Sequence, residues 1–347
     1  MSATTPKVTV CVVTYDHERY VAQALESVLM QKVSFPVEIF VSDDASKDKT
    51  QEIVATYARR YPDRLRLALR KQNLGPARHS MEIVESARGE YMAVLEGDDY
   101  WLSPDKLATQ VAFLDANPSF SMCCHNVLVV GEGLEPEVKR TTLSGDAEGG
   151  VIRFEELLSG YDISTGSSVF RRSSLPPTLP NWWFEFCLRT SGSGDWTMAA
   201  IAAESGPIRF LPEVMSAYRV HPKGLWSKKT TTQRAESHVR VQETFNEVYG
   251  TRYARHIRPG LAIRKMDLAG LYAAEGRTVD AARTALNGVA DIAASPGARE
   301  RLRLVKLALV ALARPIDPAS SPPLPRLYKA VLEGIMDMNR RARQLVS

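Results

Sequence analysis

Cysteine is scarce in this chain: Cys11, Cys123, Cys124 and Cys187 are all there is among 347 residues, and no two of them form a CxxC pair. That spacing excludes a cysteine-built zinc site and a disulfide framework, and reduced thiols in an apolar core are the expectation. Long hydrophobic runs are missing too. The longest, such as VTVCVV at 8–13, fall far below the roughly 20 apolar residues that cross a bilayer as a helix. The first residues show no basic segment leading into a signal-type apolar stretch, so the expected location is cytoplasmic with no transmembrane helix. No GxGxxG follows a strand-like run, which removes the dinucleotide oxidoreductases. Aromatics are not interleaved with the basic residues, which leaves no case for nucleic acid as a partner.

What is present suits a soluble α/β protein. With 44% hydrophobic and 24% charged residues, the chain can bury the core of one large domain and still carry an appendage. Charge is unevenly spread. Residues 251–347 hold 17 Lys and Arg against 8 Asp and Glu, a net +9, so with +4 for the whole chain the first 250 residues sit at −5. A solvated helical face accounts for such a basic end, as does contact with an anionic surface.

The first hundred residues alternate between periods of two and 3.6. Strands are expected at 8–15, 37–44, 64–70 and from 90 on, and helices at 20–31, 50–61 and 77–88. Such alternation implies a mostly parallel sheet covered on both faces. Right-handed crossovers then bring the polar strand tails Thr14 to Asp16, Asp43 to Ser46 and Glu96 to Asp99 to one rim.

The last of these tails, LEGDDYW at 95–101, closes a buried-looking strand with clustered carboxylates. Adjacent acids at the carboxyl end of a strand call for a positive neutraliser, and a Mg²⁺ or Mn²⁺ ion holding a phosphate is one. A solvated acidic turn before a helix near Pro104 is the other reading. Taken alone, the cluster leaves both open.

Four segments in order, VTVCVVTYDHERYVAQALESVLMQ, EIFVSDDASKDKT, NLGPARHS and ARGEYMAVLEGDDYWLSPDKL, resemble the family 2 glycosyltransferases of the GT-A fold, a Rossmann-like α/β architecture. The resemblance runs over about residues 7–225. It implies inverting transfer of a sugar from a nucleotide-diphosphate sugar to an acceptor hydroxyl, usually with Mg²⁺ or Mn²⁺, and an acceptor that is a glycan, a lipid-linked sugar or a protein in bacterial surface glycan synthesis. Two departures stand out. Glu96, Gly97 and Asp98 replace the usual DxD, and Asp16 replaces the frequent Asn; neither removes an oxygen ligand. A nucleotidyltransferase would need a glycine-rich basic loop where TYDHERY stands, and a non-catalytic nucleotide-sugar binding protein is the alternative within the fold.

By the same resemblance, Asp98 and Asp99 form the metal and ribose side, with Asp98 first for the metal and Glu96 behind them or against the sugar. Thr14 and Tyr15 would meet the base or ribose, Asp44 would accept from the base, and Arg78 would reach the base or the diphosphate. Ser46 and Asp48 read instead as helix caps. Asp195, in SGSGDWTM, matches the family's catalytic base, although an Asp leading into an apolar helix also reads as an N-cap. YRVHPKGLWS at 218–227 resembles a loop over the donor, bringing Arg219, His221 and Lys223 to the diphosphate. Residues 164–172 suit a wall for the sugar. Trp182, Trp183 and Phe184 suit an acceptor platform or simple core packing.

The resemblance gives out near residue 235, so 1–235 is expected to be the catalytic domain and 236–347 a helical extension. Helices are expected at 235–250, 261–276, 278–294 and 298–314. LAGLYAAEGRTVDAARTALNGV resembles one helix-turn-helix repeat of the tetratricopeptide kind, and ARERLRLVKLALVALAR suits a peripheral helix on an anionic membrane, a homodimer seam or a packing helix.

Overall fold

Strand β1 (Val8–Thr14) is buried along nearly its whole length because its β-branched residues face helices on both sides of the sheet. The computed structural model describes residues 5–131, 134–139, 150–160, 163–190 and 194–294. Helix α1 (Val21–Leu29) buries Val21, Ala24, Leu25 and Val28, the stripe its 3.6 period dictates. Strand β2 (Val37–Asp43), helix α2 (Thr50–Arg60), strand β3 (Leu65–Leu69), helix α3 (Gly75–Ser86) and strand β4 (Tyr91–Glu96) continue the alternation. β2 and β4 flank β1 and β3 pairs β2, all in parallel. The register sets Thr14 opposite Asp43 and Val13 opposite Glu96, so the three expected tails do share one rim.

Beyond β4 the simple alternation ends. A two-residue strand β5 (Tyr100–Trp101) and helix α4 (Lys106–Ala116) lead to β6 (Met122–Gly131), β7 (Leu134–Lys139), β8 (Val151–Ile152), helix α5 (Phe154–Gly160), β9 (Val169–Arg171), helices α6 (Asn181–Thr190) and α7 (Gly194–Ala203), and the long β10 (Ile208–Val220). The sheet order is β3-β2-β1-β4-β9-β6-β10-β5, with β7 beside β6 and β8 beside β10. β9 is antiparallel to both β4 and β6, and β5 is antiparallel to β10, so the sheet is mixed. All four cysteines are buried and unbridged, as their surroundings in sequence suggested.

Two α4 side chains sit deep beneath the rim. Lys106 and Gln110 are fully buried, and Lys106 lies over the indole of Trp101, 4.2 Å from the ring centroid.

The chain divides into two compact units after Lys229. The division falls six residues before the boundary read from sequence because Thr230 opens a helix through a capping box: its hydroxyl accepts from the Gln233 backbone N–H, and the Gln233 side chain accepts from the Thr230 N–H. This helix, α8 (Thr231–Ala274), is continuous where two helices were expected. Pro259 lies inside it; a proline removes one backbone hydrogen bond there, but Ile257, Gly260, Leu261 and Ala262 around it are buried, and that packing carries the helix through. α8 ends in a Schellman turn. The N–H of Arg277 reaches Tyr272 O and that of Gly276 reaches Ala273 O, with Gly276 at φ +75°. Helix α9 (Thr278–Ala293) folds back on α8, and Gly288 admits close approach, since a Cβ there would stand 2.9 Å from Met266 Cε. The expected two-helix repeat is thus the hairpin α8–α9. The basic helix at 298–314 lies outside the described residues. No described helix is long and apolar enough to cross a membrane.

Candidate functional site

The carboxyl ends of β1, β2 and β4 meet in a rim whose polar groups are tied to one another. At its centre Asp98 directs Oδ2 toward His221 Nε2 at 2.9 Å and His17 Nε2 at 3.5 Å. Burial alone would raise the Asp98 carboxyl, but the His221 hydrogen bond and both imidazoles more than offset it, holding the group below the ordinary carboxylate value. Burial holds His17 below the usual histidine range despite the pull of Asp98, and its Nδ1 is a buried atom with no hydrogen-bond partner among the described residues. Gly97 makes this possible. A Cβ at that position would stand 2.7 Å from Thr14 Cγ2 and 2.9 Å from His17 Nδ1, so only glycine lets the imidazole lie over the acid turn.

Asp99, expected beside Asp98 as a second ligand, is placed differently. Its side chain is 4% exposed and accepts the backbone N–H of Arg219 at 2.7 Å. Burial, then the neighbouring charges of Asp98 and Glu96, push its carboxyl well above the ordinary range. Arg219 completes a brace: Nε donates to Asp98 O at 2.8 Å, Nη2 to Gln23 Oε1 at 2.8 Å, and the guanidinium lies over the rings of Tyr20 and Tyr100. Tyr20 also packs on the His221 ring, with centroids 4.8 Å apart. Lys223 is exposed.

At the β1–β2 end of the rim the side chains are more occupied than their motifs suggest. Thr14 is buried and donates its hydroxyl to Asp43 Oδ2 at 2.8 Å, while Tyr15 is exposed beside it. Asp43, which sequence reasoning passed over as a site residue, is the hub, accepting also from the Ser46 N–H, the Ser46 hydroxyl and Gln51. Asp44 is buried and caps α3, accepting from the N–H groups of Leu74 at 2.7 Å and Gly75 at 3.0 Å; each carboxylate oxygen keeps a second lone pair. Arg78 is exposed on the first turn of α3. Asp48 caps α2 as expected, accepting from the Thr50 N–H and hydroxyl, whereas Ser46 turns to Asp43 and to the Asp16 N–H instead of capping. Asp16 and Ala45 both take left-handed backbone conformations, φ 55° and 61°. Asp and Asn tolerate that region best among residues with a Cβ, which explains why either serves at position 16.

Asp195 is in the first turn of α7. Oδ1 accepts the Trp196 N–H at 2.8 Å and Oδ2 accepts the Thr165 hydroxyl at 3.3 Å. Thr165 opens a short 3-10 turn, Thr165–Ser167, in the segment expected as a sugar wall. This turn lies against β4, and its Gly166 carbonyl accepts the Trp101 indole N–H at 3.0 Å. Asp195 is therefore linked through Thr165 to the strand that ends in the acid cluster. Of the aromatic triplet, Trp183 is buried against Gly194, Phe184 is half-buried, and Trp182 lines an open pocket with Pro176, Pro180, Ile201 and Glu204.

Among the described residues, no three His, Cys, Asp or Glu side chains close around one point as a ready metal cage. The Asp98 carboxylate, with the His221 imidazole against it, fits a divalent cation that takes few protein ligands and fills its shell with phosphate oxygens and water. The residues missed from sequence were His17, Gln23 and Asp43. For His17 the signal was its place two residues beyond the Thr14–Tyr15 tail.

A sheet with its polar tails on one rim, an acid turn after β4 and a second acid brought in by a later helix define a GT-A architecture. Comparison with known proteins agrees: residues 9–176 match the model of glycosyl transferase family 2. It is 36% identical over 222 residues to the uncharacterised protein Rv1520 of Mycobacterium tuberculosis, an alignment covering 64% of this chain and 61% of that protein. It is 32% identical over 114 residues to the abequosyltransferase RfbV of Salmonella typhimurium, 33% of this chain and 34% of that one. TarS of Staphylococcus aureus, solved with UDP-GlcNAc, shares the fold at a TM-score of 0.60 and 17% identity over 88% of both chains. The alignments thus span less than two thirds of either curated relative.

Proposed function

We propose that the chain transfers a sugar from a nucleotide-diphosphate sugar to an acceptor hydroxyl with inversion, in the assembly of a bacterial glycan. The observation that carries this reading is the pair of carboxylates with opposed environments: Asp98, held ionised between two imidazoles, and Asp195, joined to the same strand end through Thr165. The family match supports the reaction class, and the sugar-transferring relative supports the kind of product.

The residues divide the work. Asp195 takes the proton of the acceptor hydroxyl, the acceptor oxygen bonds to the anomeric carbon, and the bond from that carbon to the diphosphate oxygen breaks on the opposite face. Asp98 and His221, with His17 behind, would hold a Mg²⁺ or Mn²⁺ ion, which neutralises charge on the departing diphosphate when bound. Asp99 serves by fixing the Arg219 backbone, so Asp98 is the better choice for the metal. Tyr15, exposed at the end of β1, would meet the base, and Asp44 holds the 73–75 loop. Arg78, on the next turn, stays a candidate for the diphosphate. The same reading places the protein in the cytoplasm, with the basic tail as its contact to a membrane or a second copy.

A thermal-shift panel of UDP, GDP, dTDP and CMP sugars with Mn²⁺ identifies the donor, since a ligand selective for the folded state raises apparent stability. With that donor, Asp195→Asn is expected to abolish sugar transfer and leave metal-dependent donor binding intact by calorimetry. Loss of binding instead would remove Asp195 from the base role, and binding without turnover in the wild type would favour a non-catalytic binding protein.

A further inference from the structure

Three α4 and β5 side chains that the proposed reaction does not use converge on the turn that carries Thr165. Lys106 Nζ donates to Gln110 Oε1 at 2.8 Å in a fully buried setting. That bond decides how the Gln110 amide faces, because an oxygen meeting a donor sends the NH₂ the other way. Gln110 Nε2 then donates to Ser167 O in the turn and to Cys123 O in β6, each at 2.9 Å. Trp101, whose ring faces the Lys106 amine, donates its indole N–H to Gly166 O at 3.0 Å. Two successive carbonyls of the turn, Gly166 and Ser167, are therefore held from below by side chains, and the hydroxyl of Thr165 on the same turn meets Asp195 Oδ2.

We infer that Lys106, Gln110 and Trp101 form a buried strut that sets the height of the 165–167 turn, and that Lys106 is a positioning residue for Asp195, acting through the Gln110 amide. The inference rests on the reading of Asp195 as the base. A core lysine with no countercharge among the described residues has no value for packing that a methionine would lack; what it supplies is a donor at a point where Gln110 would otherwise present a bare oxygen. Burial lowers the Lys106 amine to about 7, which lets it stay largely uncharged above that pH while still donating.

The test compares Lys106→Met, Gln110→Met, the double variant and Asp195→Asn in the full-length chain. The readouts are hydrolysis of UDP-GlcNAc and of GDP-mannose in the presence of Mn²⁺, with water in place of the acceptor, calorimetric Kd for UDP and GDP, and hydrogen exchange of the 163–168 amides. Misplacing a reacting group by about 1 Å costs up to roughly 100-fold in rate, so kcat is expected to fall roughly 10- to 100-fold in both single variants with Kd unchanged. Exchange should rise in 163–168, and the double variant should be no slower than Gln110→Met, because the two residues act in series. Losses that multiply in the double variant, an unchanged kcat in Lys106→Met, or unaltered exchange in 163–168 would each overturn the strut. If Asp195→Asn alone is inactive while Lys106→Met is not, only the strut fails; if Asp195→Asn keeps its rate, the base reading fails and takes the strut with it.

Discussion

Replacing Lys106 by Met should make the protein more stable, and by an amount that depends on pH. The amine is fully buried, and burial lowers it from an ordinary value near 10.5 to about 7. The titratable groups around it offer no countercharge: the Cys123 thiol is pushed up to about 12, the Cys124 thiol well above its ordinary value, and His125 is held near 3, all by burial, so all are neutral. Because folding lowers the lysine pKa, the unfolded chain holds the extra proton between about pH 7 and 10.5, and wild-type stability must rise with pH across that window. From the two pKa values the buried lysine costs about 4 kcal/mol at pH 7, of which about 2 kcal/mol is recovered by pH 9. Leaving Gln110 Oε1 without a donor costs about 1–3 kcal/mol. Lys106→Met is therefore expected to gain on the order of 1–3 kcal/mol at pH 7 and to lose that gain as pH approaches 10. All five tryptophans, Trp101, Trp182, Trp183, Trp196 and Trp226, precede Lys229, so urea unfolding followed by tryptophan fluorescence reports on the first unit alone. Midpoints of wild type and variant that keep a constant separation from pH 6.5 to 9.5 would refute the reasoning. A variant both steadier and slower than wild type is what a residue kept for function at the expense of stability produces.

Asp98→Asn is expected to remove Mn²⁺-dependent UDP or GDP binding, whereas Asp99→Asn should retain most of it, because an amide oxygen can still accept the Arg219 N–H; calorimetry of both variants decides, and equal losses would return Asp99 to the metal. Gly97→Ala should displace His17 and weaken the same binding more than it lowers the unfolding midpoint, since the methyl would meet Thr14 Cγ2 and His17 Nδ1 at 2.7 and 2.9 Å. Ala45→Gly relieves a left-handed alanine at φ 61° and should add about 0.5–1 kcal/mol to the stability of the first unit, read by the same fluorescence assay.

The parallel half of the sheet was legible because β1 and β2 are β-branched runs, β3 alternates and β4 is an apolar run, with helices of regular spacing between them, and Asp43, Asp44, Glu96, Asp98 and Asp99 followed as strand tails. What could not be read was which oxygen faces where. Asp98 and Asp99 are adjacent and chemically identical, yet one meets two imidazoles and the other a main-chain N–H, a difference made by Arg219 and His221, more than a hundred residues away, and by His17. Thr14 looked like a ligand contact from its motif, but its partner Asp43 is reached only through the parallel register of β1 and β2. The continuous α8 escaped because a proline is a stop signal unless packing overrides it.

The Arg219 brace has a consequence for how a donor arrives. One side chain and its own backbone N–H join β10 to the acid turn and to Gln23 of α1, so the His221 segment is moored to the carboxylates it faces and does not swing over them as a separate flap. On the proposed reading, the electrostatic shape that would meet a diphosphate is complete before contact. Little ordering of the protein then accompanies binding, and a broken mooring should show first as faster ligand escape, with the fold itself left standing.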